Sequence, residues 1–306
     1  MYNKNVGSKH YSLGITFALF IIIMSSLVIV ALINTDNSSS SKLEEIDYGT
    51  IETINPLVLE TSNQVVDKTN ANIELVSEIN RVYNLDVVYG EGTEYLAKSV
   101  EAKALYDSED VNKILLELIE CLEKYPSNIF KEIELKDYTL EICLVDFFNN
   151  DNLALATRDS NNNFKIYLSN TDNLEKTRKS IHHETYHILE YYMKLEYDIN
   201  ELYKEWNKYN PEGFTYVNDI SLLNTNYVYE LDKYGRAYFV SAYSKVSDKE
   251  DRAETFADTM VAEEEPLYYT DSIGAIKSKM ELISSVIKNC FYSVEYGTSI
   301  YWTRYF

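Results

Sequence analysis

The sequence is short of positive charge. Lysine and arginine number 28 against 49 aspartate and glutamate residues, so the 306-residue chain has a formal net charge of -21. A chain of this sign is repelled by phosphate backbones, which argues against nucleic acid as a partner. Only 9 glycines and 4 prolines are present beside 45% apolar residues. This composition excludes fibrous and disordered classes, and the length allows one sizeable core.

Cysteine is scarce as well. Cys121, Cys143 and Cys290 are odd in number and lie far apart in the sequence. This pattern suits neither a disulfide framework nor a cysteine-type zinc site, although it leaves a single disulfide of unpredictable pairing open.

One long hydrophobic run is present near the N-terminus. Residues 12–33, SLGITFALFIIIMSSLVIVALI, carry no charge, and at about 1.5 Å per helical residue they reach roughly 33 Å, enough to span a bilayer. Lys4 and Lys9 precede the run and no acid appears before Asp36. The positive-inside bias therefore predicts a cytoplasmic tail over 1–11, a transmembrane signal anchor over 12–34 and an extracellular remainder. The alternative is a cleaved signal peptide and a secreted protein.

The rest of the chain divides into a polar segment and a domain. Residues 35–72 include NTDNSSSSK and lack a sustained apolar period, which predicts a stalk or linker. From residue 73 apolar positions recur three and four apart, and this spacing predicts amphipathic helices in ELVSEINRVYN and SEDVNKILLELIECLEKYP. We therefore expect a single domain over 73–306.

Three short strand-like runs follow these helices. They are predicted to form a small, mostly antiparallel sheet and cover residues 138–148, 153–159 and 164–170. The last run, FKIYLSN, alternates in polarity, so we expect a half-exposed strand. Asp172 is the expected N-cap of the next helix, which runs to about residue 194. Later helices are predicted over 199–209, 247–263 and 271–291, and an extended aromatic tail ends the chain. The order of elements predicts an α+β fold.

Three of the four histidines lie within residues 180–192, SIHHETYHILEYY. His183, Glu184 and His187 form the pattern H-E-x-x-H, whose two histidines share one helix face and can bind the same Zn²⁺. Glu184 then lies beside the open position of the metal, where a carboxylate can take a proton from water and pass it to a leaving amine. This chemistry is metal-assisted amide hydrolysis. His182 is rotated about 100° from His183 and is expected to be structural.

A third zinc ligand must come from elsewhere, and the remaining histidine, His10, precedes the hydrophobic run. The segment 243–260, YSKVSDKEDRAETFADTM, offers acids instead. Glu250 and Glu254 are four apart, so one can bind metal while the other supports a ligating histidine. Glu254 with Asp258 is an equally spaced alternative, and Ser247-x-x-Glu250 is also a capping box. Spacing alone leaves the third ligand open.

At these motifs the chain resembles the gluzincins, zinc peptidases in which a downstream glutamate completes H-E-x-x-H. More narrowly, it resembles anthrax lethal factor, the Pro-Pro endopeptidases and bacterial zinc-binding metallopeptidases with an E-D-x-A-E-x-F-A helix. The matching residues here are Tyr243, Glu250, Ala253, Glu254 and Phe256. The interval from the second histidine to the glutamate looks longer than in lethal factor, so substrate specificity does not transfer.

The resemblance implies a zincin-like fold and one zinc ion per chain, bound by His183, His187 and Glu250. It also implies that Glu254 supports the ligands and that Tyr243 donates a hydrogen bond to the oxyanion. FKIYLSN would be the edge strand that receives a protein or peptide substrate in extended form. Two other functions are left open. One is an inactive surface binding module with a zincin fold, and the other is a domain in which zinc only links two helices.

Overall fold

The computed structural model describes residues 56–223, 231–263, 274–295 and 300–305. The predicted cytoplasmic tail, the signal anchor and the first part of the predicted linker lie outside these residues. Within the described ranges no helix is long and apolar enough to cross a membrane.

Helices account for most of the described chain. They are α1 (Pro56–Tyr83), α2 (Glu94–Ser99), α3 (Ser108–Leu122), α4 (Ile129–Glu134), α5 (Leu174–Glu196), α6 (Ile199–Leu202), α7 (Asp248–Met260), α8 (Ala275–Cys290) and α9 (Tyr292–Glu295). Short 3₁₀ turns cover Gly90–Thr93, Trp206–Tyr209, Ile220–Leu222, Tyr243–Lys245 and Tyr301–Tyr305. The strands are β1 (Asp86–Val88), β2 (Ala102–Ala104), β3 (Leu140–Phe148), β4 (Ala154–Arg158) and β5 (Phe164–Ser169). The α+β class is confirmed.

The five strands form one mixed sheet in the order β1-β3-β5-β4, with β2 paired to the far end of β3. Strand β3 is parallel to both β1 and β5, whereas the β2–β3 and β4–β5 pairs are antiparallel. The prediction of a mostly antiparallel sheet is therefore wrong. The sequence predicted the hairpin of β4 and β5. It did not predict that β5 also pairs with β3, because strand-like runs alone do not specify which strands become neighbours.

The expectation that FKIYLSN is a half-exposed edge strand is also wrong, because β5 lies between β3 and β4. Phe164, Ile166 and Leu168 are buried against the helical core, and Tyr167 is buried in a second apolar cluster on the opposite face of the sheet. Both faces of β5 are thus covered. The edge nearest the H-E-x-x-H helix is formed by β4 instead.

Two of the predicted boundaries shift. Residues 56–72 of the predicted linker lie in α1, which begins with proline at the first helical position, where a missing N–H costs nothing. Asn72 is buried, and its Nδ2 donates to Ser108 O at 2.8 Å. The N-cap of α5 is Asn173, whose Oδ1 accepts from Lys176 N at 3.0 Å. Asp172, the predicted cap, is exposed and pairs with Lys113.

The C-terminal half confirms its helices in shortened form. The predicted helix over 199–209 is split into α6 and a 3₁₀ turn, and the aromatic tail ends in another 3₁₀ turn with Trp302 fully buried. The three cysteines are free and buried, so none of them forms a disulfide in this fold.

Candidate metal centre and active site

The H-E-x-x-H helix α5 packs against α7, and this contact brings together the predicted metal ligands. His183 Nε2 lies 3.0 Å from His187 Nε2, and Glu250 Oε2 lies 3.1 Å and 3.2 Å from the same two nitrogens. The three ligand atoms form a nearly equilateral triangle at the boundary between the two helices. No other group of three such side chains in the described ranges is arranged to hold a metal.

The triangle fits a zinc ion. Tetrahedral ligands at zinc bond lengths of about 2.0–2.2 Å lie roughly 3.3–3.5 Å apart, so the observed separations need to open by only a few tenths of an ångström. Two imidazoles and one carboxylate are also a ligand set that zinc accepts with a fourth position left open. The donor atoms present therefore suit a catalytic type of zinc site.

The electrostatics of the site favour a cation. Burial opposes charge on His183, but its contacts with Glu250 and Glu254 outweigh burial and raise its pKa to about 10. Burial likewise opposes charge on Glu250, yet the two histidines hold its pKa well below the usual range. The carboxylates thus stabilise positive charge at this position, and a divalent metal would take the place of the imidazole proton.

The two candidate glutamates contact different nitrogens of His183. Glu254 Oε1 lies 2.9 Å from His183 Nδ1, the ring nitrogen that faces away from the triangle. This is the position of a carboxylate that orients a ligating imidazole. Asp258, the partner in the alternative spacing, pairs with Lys179 Nζ at 3.1 Å. The geometry therefore places Glu250, not Glu254, among the three convergent donors.

The capping role of Ser247 coexists with the position of Glu250. Ser247 is the N-cap of α7, and its Oγ accepts from Glu250 N at 3.2 Å. The side chain of Glu250 meanwhile contacts both imidazoles rather than the cap. The N-cap fixes the first turn of α7 through the backbone N–H of Glu250, which leaves its carboxylate to contact the imidazoles instead of completing the capping box.

Glu184 lies between the triangle and the sheet. It is largely buried, at 9% exposure, and its Oε2 accepts a hydrogen bond from Ala156 N of β4 at 2.6 Å. Because Ala156 of β4 donates to this carboxylate and not to β5, its N–H points to the free side of the edge strand. One carboxylate is thus held beside both the ligand triangle and the outer edge of β4.

Tyr243 precedes α7 in a 3₁₀ turn and faces the same place. Its ring centroid lies 6.0 Å from that of His183, and the side chain is 36% exposed. Burial, with the nearby carboxylates of Glu250 and Glu184, raises the pKa of the Tyr243 phenol. The phenol therefore keeps its proton at neutral pH and can donate a hydrogen bond.

These residues line a cleft of about 490 Å³, a size typical of ligand sites. The edge strand β4 forms one wall and helices α5 and α7 form the floor and the other wall. The remaining lining residues are Asp151, Asn152, Leu153, Ala154, Leu155, Lys176, Lys179, Ser180 and Lys249.

Two buried ion pairs hold α7 in place. Arg252 Nε donates to Glu190 Oε1 of α5 at 2.7 Å, and both side chains are at most 3% exposed. On the opposite side, Lys279 Nζ of α8 donates to Asp251 Oδ2 at 2.7 Å, and neither residue is exposed. Asp251 and Arg252, which directly follow Glu250 in α7, are thus bound to α8 and α5 respectively.

Sequence reasoning missed the residues outside the motifs. His182 behaves as expected, since it is fully buried and its Nδ1 lies 2.8 Å from Tyr125 Oη. The edge position of Ala156 and the cleft position of Lys249 were not predicted. One signal was present for the first, because LALATRD carries two charged residues where FKIYLSN carries one, and charged side chains are typical of an edge strand.

No protein-family model matches the chain, and no curated protein is significantly similar to it. Among solved structures, the chain is similar to the crystal structure of a putative zinc-binding metallo-peptidase from Bacteroides caccae. The TM-score is 0.40 at 16% sequence identity, and the match covers 74% of this chain and 87% of that chain.

Proposed function

We propose that the protein is a zinc-dependent endopeptidase of the gluzincin type, with one Zn²⁺ bound by His183, His187 and Glu250. The observation that carries this proposal is the convergence of three ligand atoms within 3.2 Å of one another on the floor of an open cleft, with Glu184 beside them. A purely structural zinc would favour four protein ligands and a closed site.

Each side chain has a role in peptide hydrolysis that its position supports. A bound zinc ion lowers the pKa of water and polarises a carbonyl oxygen. Glu184 takes the proton of the attacking water and then delivers it to the leaving amine. Tyr243 donates a hydrogen bond to the oxyanion that forms on the substrate. Glu254 holds the imidazole of His183 so that Nε2 faces the ligand triangle.

The substrate is proposed to be a protein or peptide that adds to the outer edge of β4. An extended peptide can pair with a free strand edge through main-chain hydrogen bonds. Strand β4 lines the cleft, and the hydrogen bond from Ala156 N to Glu184 Oε2 marks one of its outward-facing donors. The strand predicted for this role, β5, is covered on both sides.

For its location we propose a single-pass protein with the peptidase domain outside the cell, tethered by residues 12–34. This part of the proposal rests on the uncharged run and the two preceding lysines in the sequence. Secretion after signal cleavage is the alternative. Protease treatment of intact cells distinguishes a tethered outward domain from a released one.

The metal assignment is tested by zinc content. The wild-type chain is expected to bind one zinc ion, Glu250→Ala to lose it, and Glu254→Ala to bind it about 10–100-fold more weakly, the usual cost of removing a residue that orients a ligand. Atomic absorption on the purified full-length proteins measures this. The opposite order, with zinc lost only from Glu254→Ala, would reassign the third ligand.

The role of Tyr243 predicts an effect on turnover rather than on metal binding. We expect Tyr243→Phe to retain zinc and to lower kcat by about 100-fold, near the lower end for one oxyanion donor. Measurement of kcat and KM on a fluorogenic peptide tests this. Tyr292→Phe is a matched control, since Tyr292 is exposed and does not line the cleft. An unchanged kcat in Tyr243→Phe would remove the phenol from the mechanism.

A catalytically inactive binding module is the second candidate. It is favoured by exposed tyrosines elsewhere on the described surface, among them Tyr95 at 83% and Tyr234 at 69% exposure. The distinguishing result is a zinc-loaded wild-type chain that binds peptides but releases no product.

A further inference from the structure

Two cations lie on either side of one tyrosine beside the cleft, and one of them, Lys249, lines it. Lys249 Nζ lies 3.2 Å from Tyr191 Oη and 5.0 Å from the centroid of its ring. The Arg158 guanidinium lies 6.0 Å from the same ring. We call Arg158, Tyr191 and Lys249 the Tyr191 corner. Arg158 is the last residue of the edge strand β4, and Lys249 immediately precedes Glu250 in α7.

The corner lies along the path of an extended peptide. Ala156 contacts Glu184, and Arg158 lies beside Tyr191 further along α5, so β4 and α5 run in the same direction. Arg158 lies two positions beyond Ala156, which is about 6.6 Å along the edge. Arg158 also projects from the same face of β4 as Ala156, because side chains alternate along a strand. A substrate side chain about two residues from the scissile bond would therefore reach the corner.

The cations of the corner have no carboxylate of their own. Neither Arg158 nor Lys249 takes part in a salt bridge among the described residues, and Arg158 is exposed. Glu190 and Asp248 bind Arg252. Glu250, whose charge also acts on Lys249, contacts the two imidazoles. Asp159 accepts hydrogen bonds from Asn161 N and Asn163 N instead.

The positive charge of the corner contrasts with the negative charge of the whole chain. A chain of net charge -21 repels acidic peptides at long range. The two cations beside the cleft, which form no salt bridge among the described residues, have the opposite sign to the overall charge where a substrate would be in contact. An acidic side chain placed there would complete the ion pairs that the protein itself leaves open.

We propose that the Tyr191 corner is a subsite for an acidic side chain of the substrate, aspartate or glutamate, about two residues from the scissile bond. The inference rests on the proposed peptidase function and adds a substrate class to it. Arg158 is a specificity-determining residue that pairs with the substrate carboxylate, and Lys249 supplies the second cation while Tyr191 spaces the two.

The test is cleavage of a synthetic peptide mixture with balanced Asp, Glu, Asn, Gln and Lys at every position, using the zinc-loaded full-length chain. Mass spectrometry of the products is expected to show Asp and Glu enriched at one position within three residues of the cut. A Glu peptide should then exceed its Gln counterpart in kcat/KM by about twofold to fivefold, the range of a partly exposed ion pair.

Charge reversal makes the test specific. Arg158→Glu is expected to invert the preference, so that a Lys peptide is cut faster than a Glu peptide. Lys98→Glu reverses an equally exposed charge away from the cleft and should leave the preference unchanged. Zinc content and the urea midpoint of each variant establish that it is folded. Lys249→Gln, with zinc retained, should reduce the Glu-to-Gln ratio without inverting it.

The outcomes separate the inference from the function on which it rests. Cleavage without enrichment of Asp or Glu near the cut, or an unchanged preference in folded Arg158→Glu, would overturn the acidic subsite and leave the peptidase standing. Failure of the zinc-loaded wild-type chain to cut any peptide would overturn the peptidase proposal and the subsite with it.

Discussion

Glu184→Gln is expected to bind one zinc ion per chain and to lose about 10²–10⁴-fold in kcat/KM, the range attributed to a general base. The amide has the shape of the carboxylate but cannot accept the proton of the attacking water. Zinc should be retained because Glu184 is not one of the three convergent donors. Hydrolysis of a fluorogenic peptide and zinc content, measured on the same preparation, test both parts.

A control on the same helix isolates the position of the charge. Glu175→Gln removes one carboxylate from the exposed first turn of α5 and should leave turnover unchanged. Glu184→Asp keeps a base but withdraws it from the cleft by one methylene, so it should fall between wild type and Glu184→Gln. Turnover of Glu184→Gln within a few-fold of wild type would refute the role of this carboxylate.

The candidate site was largely predictable because its chemistry is local in sequence. His183 and His187 are four residues apart and share one face of α5. Glu250 and Glu254 have the same spacing and share one face of α7. What spacing could not decide was which acid faces the imidazole nitrogens. The answer depends on how α7 is rotated against α5, and the packing of Arg252 on Glu190 sets that rotation.

The sheet was less predictable for the same reason. A hairpin such as β4–β5 pairs strands that follow each other in the sequence, and the turn residues between them predict it. The parallel pairing of β3 with β5 joins residues 24 apart in sequence, Leu140 with Phe164 for example. No local pattern encodes that choice, so the edge of the sheet, and with it the proposed substrate strand, was assigned to β5 instead of β4.

Buried ion pairs were the other feature that sequence alone could not reveal. Lys279 sits in an amphipathic helix where a lysine is usually solvated, yet it is completely buried. Its Nζ donates to Asp251 Oδ2 and to Tyr238 O, and it lies 4.1 Å from the centroid of the Phe239 ring. Helix α8 is therefore bound to α7 through a lysine that the sequence alone would place at the surface.

Lys279→Met is expected to lower the free energy of unfolding by about 3–5 kcal/mol, the usual cost of removing one partner from a buried pair. Methionine fills a similar volume, so the loss comes mainly from the carboxylate of Asp251, left without its cation. Tyr216 Oη still donates to that carboxylate, but a neutral donor offsets only part of the loss. Urea unfolding at pH 7 measures the effect, and zinc affinity should fall as Glu250 moves with α7.

The stability deficit of Lys279→Met is expected to depend on pH. Burial raises the pKa of Asp251, while Lys279 lowers it. Without Lys279 the pKa in the folded chain rises further above the unfolded value of about 3.9. A folded-state pKa above the unfolded one favours folding at low pH and loses that contribution as pH rises. The deficit of Lys279→Met relative to wild type should therefore shrink between pH 7 and about pH 5.

The double variant Asp251→Asn/Lys279→Met separates charge from packing. If the deficit arises from an uncompensated carboxylate, removing that charge should restore most of the lost stability, because apolar or neutral replacements of a whole buried pair are often nearly neutral. The amide can still accept from Tyr216 Oη. A double variant as unstable as Lys279→Met would mean that the aliphatic packing of the lysine, not its charge, holds α8 against α7. In that case the zinc affinity of the two variants would also be equal, whereas restored zinc affinity in the double variant would show that the uncompensated charge displaces Glu250.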